Sequence, residues 1–206
     1  DYSPKEMITA LELIMPKLEE LYNTRVRHYV VKKHTLLVCE QFEKYAFAFD
    51  YKFMNMDLMR LVLAIHDIGK AIDRSTQHEH TLSLVRELWE NSPFTEHELN
   101  LVEVLLRDDH LGSYFQNKYD LSDLKEEIVA DATGLKMSPS ILLQYKMILY
   151  QCDIASYTKD AGGLKYLEHM FVYENGEKAF DEDNGIIAMS EEYADRYVNL
   201  KESINE

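Results

Sequence analysis

An apolar run, Leu61 to Ile65, leads directly into His66 and Asp67, with Ile68, Gly69 and Lys70 behind them. Met59, Val62 and Leu63 precede His66 at helical spacing, so the imidazole continues a buried face. A buried imidazole beside a carboxylate and an ammonium costs free energy unless each finds a partner. A neutral imidazole donates a lone pair to a metal, and an adjacent carboxylate can ligate or bridge. On its own, a histidine here is more often a hydrogen-bonded core residue. The spacing predicts a helix from Met56 to Ile68. Gly69 is expected to end it in a left-handed turn, and Lys70 then lies close to any charge bound at that end.

At 206 residues the chain reads as a single domain with one well-buried core. An apolar content of 46% and a charged content of 29% suit a globular protein rather than a disordered one. No apolar stretch approaches the roughly 20 residues that a membrane helix needs, and no basic, apolar leader opens the sequence. The two cysteines, Cys39 and Cys152, are no disulfide framework and fit a reducing cytoplasm. A formal charge of −15 argues against a broad nucleic-acid footprint or attachment to anionic lipid. It leaves room for a small anionic substrate held by a local cation.

Helix signals dominate the rest. Ser3-Pro4-Lys5-Glu6 reads as a capping box with proline at the first helical position, opening a helix to Tyr22 that Pro16 interrupts. Asn23 to His28 reads as a connection carrying Arg25 and Arg27. A helix from Tyr29 to Phe49 places His34 on one apolar face with Val31, Val38 and Tyr45, and Asp50 to Asn55 connects it onward. A helix from His78 to Trp89 puts His80 on a stripe with Leu84 and Leu88. Thr95 and Glu98 form a second capping box, opening a helix to Arg107 that ends before His110, Leu111 and Gly112. Tyr114 to Leu121 reads as irregular. Ser122 is expected to cap a helix to Gly134. Ser138-Pro139 opens a longer one to Thr158, on which Asp153 shares a stripe with Leu142 and Leu149. Leu164 to Met170 reads as helical. Asn175-Gly176 predicts a β-hairpin between Phe171 and Phe180. Asp181 to Asn184 is a solvated acidic loop out of register for calcium, and Ser190 opens the last helix.

The inward polar residues are His34, His66, Asp67, His80, His110 and Asp153. Four histidines and two aspartates suit one or two divalent transition ions: Mn, Fe, Co, Ni or Zn. The order His34-Thr35, then His66-Asp67-Ile68-Gly69-Lys70, then Cys152-Asp153-Ile154-Ala155-Ser156, resembles the HD-domain superfamily of metal-dependent phosphohydrolases. The resemblance runs from Tyr29 to Thr158, with residues 164 to 206 a C-terminal extension packed on that domain. His80 and His110 resemble two further histidines that some HD proteins use for a second metal. His78 competes with His80, and Asp108 or Asp109 could stand in for His110.

The resemblance implies an all-α, HD-domain helical bundle, here with a small β-hairpin near the C-terminus. It implies His34, His66, Asp67 and Asp153 on one metal, with Asp67 bridging to a second completed by His80 and His110. It implies metal-activated water cleaving a phosphate ester or anhydride of a nucleotide or similar small metabolite. Asp67 would orient the nucleophile or accept its proton, and Lys70 would contact phosphate. Two alternatives stand beside this: an HD-fold di-iron oxygenase using the same six ligands, and a non-catalytic nucleotide-binding signalling module. Nucleic acid is a weaker expectation than a small phosphorylated substrate, and no membrane partner is expected. The C-terminal segment could cover the site or form a homodimer contact.

Overall fold

The computed structural model describes residues 3–46, 48 and 54–205. Among these the chain is mostly helical, with small antiparallel hairpins. It divides into two compact units: residues 1–40 with 56–108, and residues 41–55 with 109–206.

The first unit opens with α1 (Pro4–Ile14) and α2 (Lys17–Tyr22), broken at Pro16 as the sequence predicts. The first capping box does not form, because the Ser3 side chain makes no cap hydrogen bond. Pro4, with its fixed φ, starts the helix instead. The stretch read as a connection holds β1 (Arg25–Val26), which pairs in a hairpin with β2 (Tyr29–Val30), two residues expected to begin the next helix. Its turn contains no glycine or asparagine to announce it, yet Arg27 takes a left-handed φ of 51°. The hairpin feeds into α3 (Val31–Tyr45), whose first amide, on Val31, donates to Thr24 O at 3.0 Å. The helix stops at Tyr45, with Ala46 and Ala48 in turns; the rest of the expected continuation to Phe49 and most of the Asp50 to Asn55 connection lie outside the described residues.

The apolar run forms α4 (Met56–Ile65), three residues shorter than the expected Met56 to Ile68. Leu58, Met59, Val62, Leu63, Ile65 and Ile68 are essentially inaccessible to solvent. Each such side chain contributes about 1.5–3 kcal/mol, so the end of α4 is held firmly. The buried Tyr22 hydroxyl donates to Ala64 O at 2.6 Å and pins α2 to α4. His66 and Asp67 occupy the turn after α4, and a 3-10 turn, Ile68–Ala71, follows. Gly69 is therefore not a left-handed helix stop; it sits inside that 3-10 turn. Its role is close approach to α5 (Gln77–Trp89). Its amide donates to Thr81 Oγ1 at 3.0 Å. A Cβ at Gly69 would lie 2.0 Å from Gln77 O and 2.3 Å from Thr81 Oγ1. The unit closes with α6 (Glu96–Leu106), where the Thr95–Glu98 capping box forms as expected.

In the second unit the end of α3 is joined by α7 (His110–Phe115), α8 (Leu121–Gly134) and α9 (Pro139–Ala155). His110 thus opens a helix rather than following one, and α7 takes in Tyr114 and Phe115, read as irregular. Asp120, not Ser122, holds the N-cap of α8. Leu164 to Met170 is not a helix; Leu167 turns left-handed at φ 60°, leaving only a 3-10 turn, Glu168–Met170. The Asn-Gly hairpin forms as β3 (Tyr173–Glu174) and β4 (Glu177–Lys178), with positive φ at both turn residues. The acidic loop connects a further hairpin, β5 (Phe180–Asp181) with β6 (Ile186–Ile187), and α10 (Glu191–Asn205) ends the unit. The buried Gln151 amide on α9 donates to Ile187 O at 2.8 Å and accepts from Ile187 N at 2.9 Å, acting as a strand partner to β6.

Lys178 of β4 is buried with its ammonium 2.7 Å from both oxygens of Asp160 and 3.2 Å from Gln41 Oε1. Burial pulls the ammonium below its ordinary pKa despite Asp160. Burial pushes the Asp160 carboxyl up, but the Lys178 and Thr158 hydrogen bonds outweigh that and hold it low. The pair thus mainly offsets the cost of burying the lysine.

Two stability measurements test these constraints. Gly69→Ala should lower the free energy of urea unfolding by about 1–3 kcal/mol or more through overpacking. Gly134→Ala, whose new Cβ meets nothing within 4 Å, should be neutral or stabilising by up to about 1 kcal/mol. Asp160→Asn should cost about 3–5 kcal/mol by stranding the buried ammonium, and the added change Lys178→Met should recover much of that loss.

Candidate metal centre

The buried face of α3 carries His34 between Val31 and Val38, all three nearly inaccessible. The turn after α4 carries His66 and Asp67, and α9 carries Asp153. Within the first unit, His34, His66 and Asp67 form a buried group that could contribute to holding a metal ion, while Asp153 belongs to the second unit. One ligand atom from each of these three lies within 4.8 Å of the others. Two imidazoles and a carboxylate are donors suited to divalent first-row ions.

Asp67 is central to the geometry. Its Oδ2 is 3.2 Å from His34 Nε2, and its Oδ1 is 3.7 Å from His66 Nε2. The His66 Nδ1 lies 2.6 Å from Leu63 O. A carbonyl only accepts, so Nδ1 carries the proton and Nε2 is the ring nitrogen able to ligate. Burial pushes the Asp67 carboxyl up, but His66, the His34 hydrogen bond and Lys70 together outweigh it. The group is held well below the ordinary carboxylate range. Its backbone, φ −110° and ψ 0°, lies near the sparsely populated bridge region where many active-site residues sit.

Lys70 Nζ lies 2.9 Å from Asp67 Oδ1 and 3.1 Å from Oδ2, so it pairs with the carboxylate. Tyr29 carries no motif and was missed by sequence reasoning. The hairpin that ends at Val30 brings its hydroxyl to 3.3 Å from Asp67 Oδ2 and its ring centroid to 4.7 Å from that of His34.

Two further expected ligands, His80 and His110, are not grouped with these residues. His80 lies half-buried on the first turn of α5. Its competitor His78 places Nδ1 3.1 Å from Leu106 O. His110 meets Glu127 within the second unit. Its Nδ1 is 2.8 Å and 3.0 Å from the two Glu127 oxygens, and its ring stacks on Tyr119. Glu127, in the middle of an ordinary amphipathic helix, offered no sequence signal.

No family model, curated protein or solved structure matches this chain. No helix of the described residues is long and apolar enough to cross a membrane.

The depressed Asp67 pKa sets a direction for acid stability. A carboxylate held low in the folded state contributes stability above its unfolded pKa, about 3.9, and loses it as pH falls through the folded value. Chelator-treated protein should therefore lose urea stability below about pH 4 more steeply than Asp67→Asn does. At pH 7 the variant should be the less stable of the two. Parallel acid limbs for both proteins would contradict the assignment.

Proposed function

We propose that this chain is a metal-dependent phosphohydrolase of the HD-domain type. His34, His66, Asp67 and Asp153 would hold a divalent transition ion, and the substrate is a nucleotide or similar small phosphorylated metabolite. One observation carries this reading: within the first unit, two imidazoles from separate segments converge on one buried carboxylate, with ligand atoms within 4.8 Å of one another. Their order and flanking residues support it, since His66-Asp67-Ile68-Gly69-Lys70 and Cys152-Asp153-Ile154-Ala155-Ser156 resemble that family's segments.

A divalent ion in such a donor set would make a bound water more acidic, toward neutral pH, and would polarise phosphoryl oxygens. The protein's own groups do the rest. Asp67, ionised across the neutral range, orients the attacking water. The Lys70 ammonium offsets negative charge on the non-bridging phosphate oxygens. The His66 tautomer is held by Leu63 O. A net charge of −15 repels long polyanions and leaves attraction of phosphate to the local cations.

The grouping of His34, His66 and Asp67 without His80 favours a one-ion hydrolytic site over a di-iron oxygenase, which would need His80 and His110 as well. Retention of all four ligands likewise favours an enzyme over a non-catalytic binding module.

Elemental analysis after loading with Mn, Fe, Co, Ni or Zn tests the reading. We expect about one ion per chain, lost in His66→Ala and Asp153→Asn and retained in His110→Ala. The loaded wild-type protein should hydrolyse a nucleotide or an aryl phosphate, and the two metal-free variants should not. About two ions, with the second lost in His110→Ala, would establish the dinuclear form instead. Absence of metal under every loading condition would overturn the enzyme reading and promote the binding module.

A further inference from the structure

We propose that Tyr29 is a positioning residue of this centre, which keeps Asp67 oriented and gives Lys70 a second place to bond when a cation occupies the carboxylate. The inference rests on the metal-site reading above.

A phenol carries one donor hydrogen and acceptor lone pairs. The Tyr29 hydroxyl lies 3.3 Å from Asp67 Oδ2 and 3.4 Å from Lys70 Nζ. It can therefore donate to the carboxylate and accept from the ammonium at once. Lys70 also reaches both carboxylate oxygens, at 2.9 Å and 3.1 Å. A cation held by Asp67 and the imidazoles repels this ammonium. It also requires His34 Nε2, now 3.2 Å from Oδ2, to present its lone pair rather than a proton. Two of the carboxylate's charged or ligating neighbours thus change their bonding when a metal binds. The phenol is neutral and is not repelled. It stays on Oδ2, while its oxygen keeps Lys70 at the edge of the site, where the ammonium can meet an anionic substrate.

The local fold supports this role. Tyr29 pairs with Val26 in the hairpin immediately before α3. Its ring lies against His34, with centroids 4.7 Å apart. One side chain thereby touches two of the proposed ligands from an element that is itself hydrogen-bonded. Lys70 keeps 17% of its side chain exposed, which leaves it room to move.

The test compares Tyr29→Phe, which keeps the ring and removes the hydroxyl, with the wild-type protein and Tyr22→Phe. Cobalt(II) is titrated against a competing chelator dye, and the visible spectrum of the cobalt-loaded protein is recorded. Tyr29→Phe should bind cobalt roughly 10–100-fold more weakly, as loss of a hydrogen-bond partner to a ligand typically does. Its cobalt bands should shift, with little change in the thermal midpoint of the metal-free protein. Tyr22→Phe loses the hydroxyl bond to Ala64 O; it should lower the midpoint and leave cobalt affinity unchanged. Lys70→Met removes the competing ammonium, so it should tighten cobalt binding, and by a larger factor in the Tyr29→Phe background than in the wild type. That excess is the signature of the shared hydroxyl and would not arise from a structural role. Wild-type affinity and bands in Tyr29→Phe, or equal gains from Lys70→Met in both backgrounds, would overturn the proposal. A wild-type protein that binds no cobalt would instead defeat the metal-site reading itself.

Discussion

A carboxylate in a protein interior is tolerable only where opposite charge and hydrogen-bond donors surround it. Asp67 meets that condition with His34, His66, Lys70 and Tyr29, and much of the first unit serves to assemble them. The chain must leave α4 after Ile65 so that His66 and Asp67 occupy a turn. It must turn again without a side chain at Gly69, because α5 lies against the backbone there. It must also reverse at Arg27 to bring Tyr29 beside the carboxylate. These are backbone requirements imposed by one buried charge.

The same requirements preorganise the proposed donor set. The side chains of His34 and Asp67 are 2% and 5% exposed, so solvent does not compete strongly for them. A tautomer selected by a main-chain carbonyl does not have to be chosen when a ligand arrives. His66 obtains its selection from Leu63, only three residues earlier and in the last turn of α4. The sequence segment that supplies the imidazole therefore also supplies the group that orients it. The apolar burial of Leu63 and Ile65 keeps that carbonyl in place.

The legible part of the fold was the part written in local periodicity and punctuation. Pro16, Thr95–Glu98, Ser138-Pro139 and Asn175-Gly176 each constrain a few neighbouring residues, and each break, box or turn lies where it was expected. The inward positions of His34 and His66 were legible for the same reason, because helical spacing tied them to Val31, Val38 and Val62. The less legible features depend on tertiary contact. Arg27 adopts a conformation that its side chain does not favour, so the hairpin before α3 gave no signal, and Tyr29 was hidden with it. Gly69 suggested a left-handed stop, whereas the proximity of Gln77 and Thr81 accounts for it. Ser3 had the right neighbours for a cap, but its side chain makes no cap hydrogen bond, and the helix starts at Pro4. Glu127 beside His110 is visible only once α7 and α8 are built.

Two aspartate–lysine pairs show how the surroundings separate a structural charge from one available for chemistry. The Lys178 side chain is fully inaccessible. Asp160, Gln41 and the faces of Phe171 and Tyr173 surround its ammonium. Moving it would strand a charge with no route to water, so the pair acts as a fixed brace between β4 and the residues around Asp160. Lys70 sits at a similar distance from its carboxylate but retains partial access to solvent and a second acceptor in Tyr29. Its attraction to Asp67 can therefore be exchanged for another bond at low cost. Asp67, unlike Asp160, also faces two imidazoles whose Nε2 atoms are positioned to share a ligand. Similar ionic groups therefore have different consequences: where the cation cannot leave, the carboxylate supports the fold, and where it can, the carboxylate becomes available to a metal.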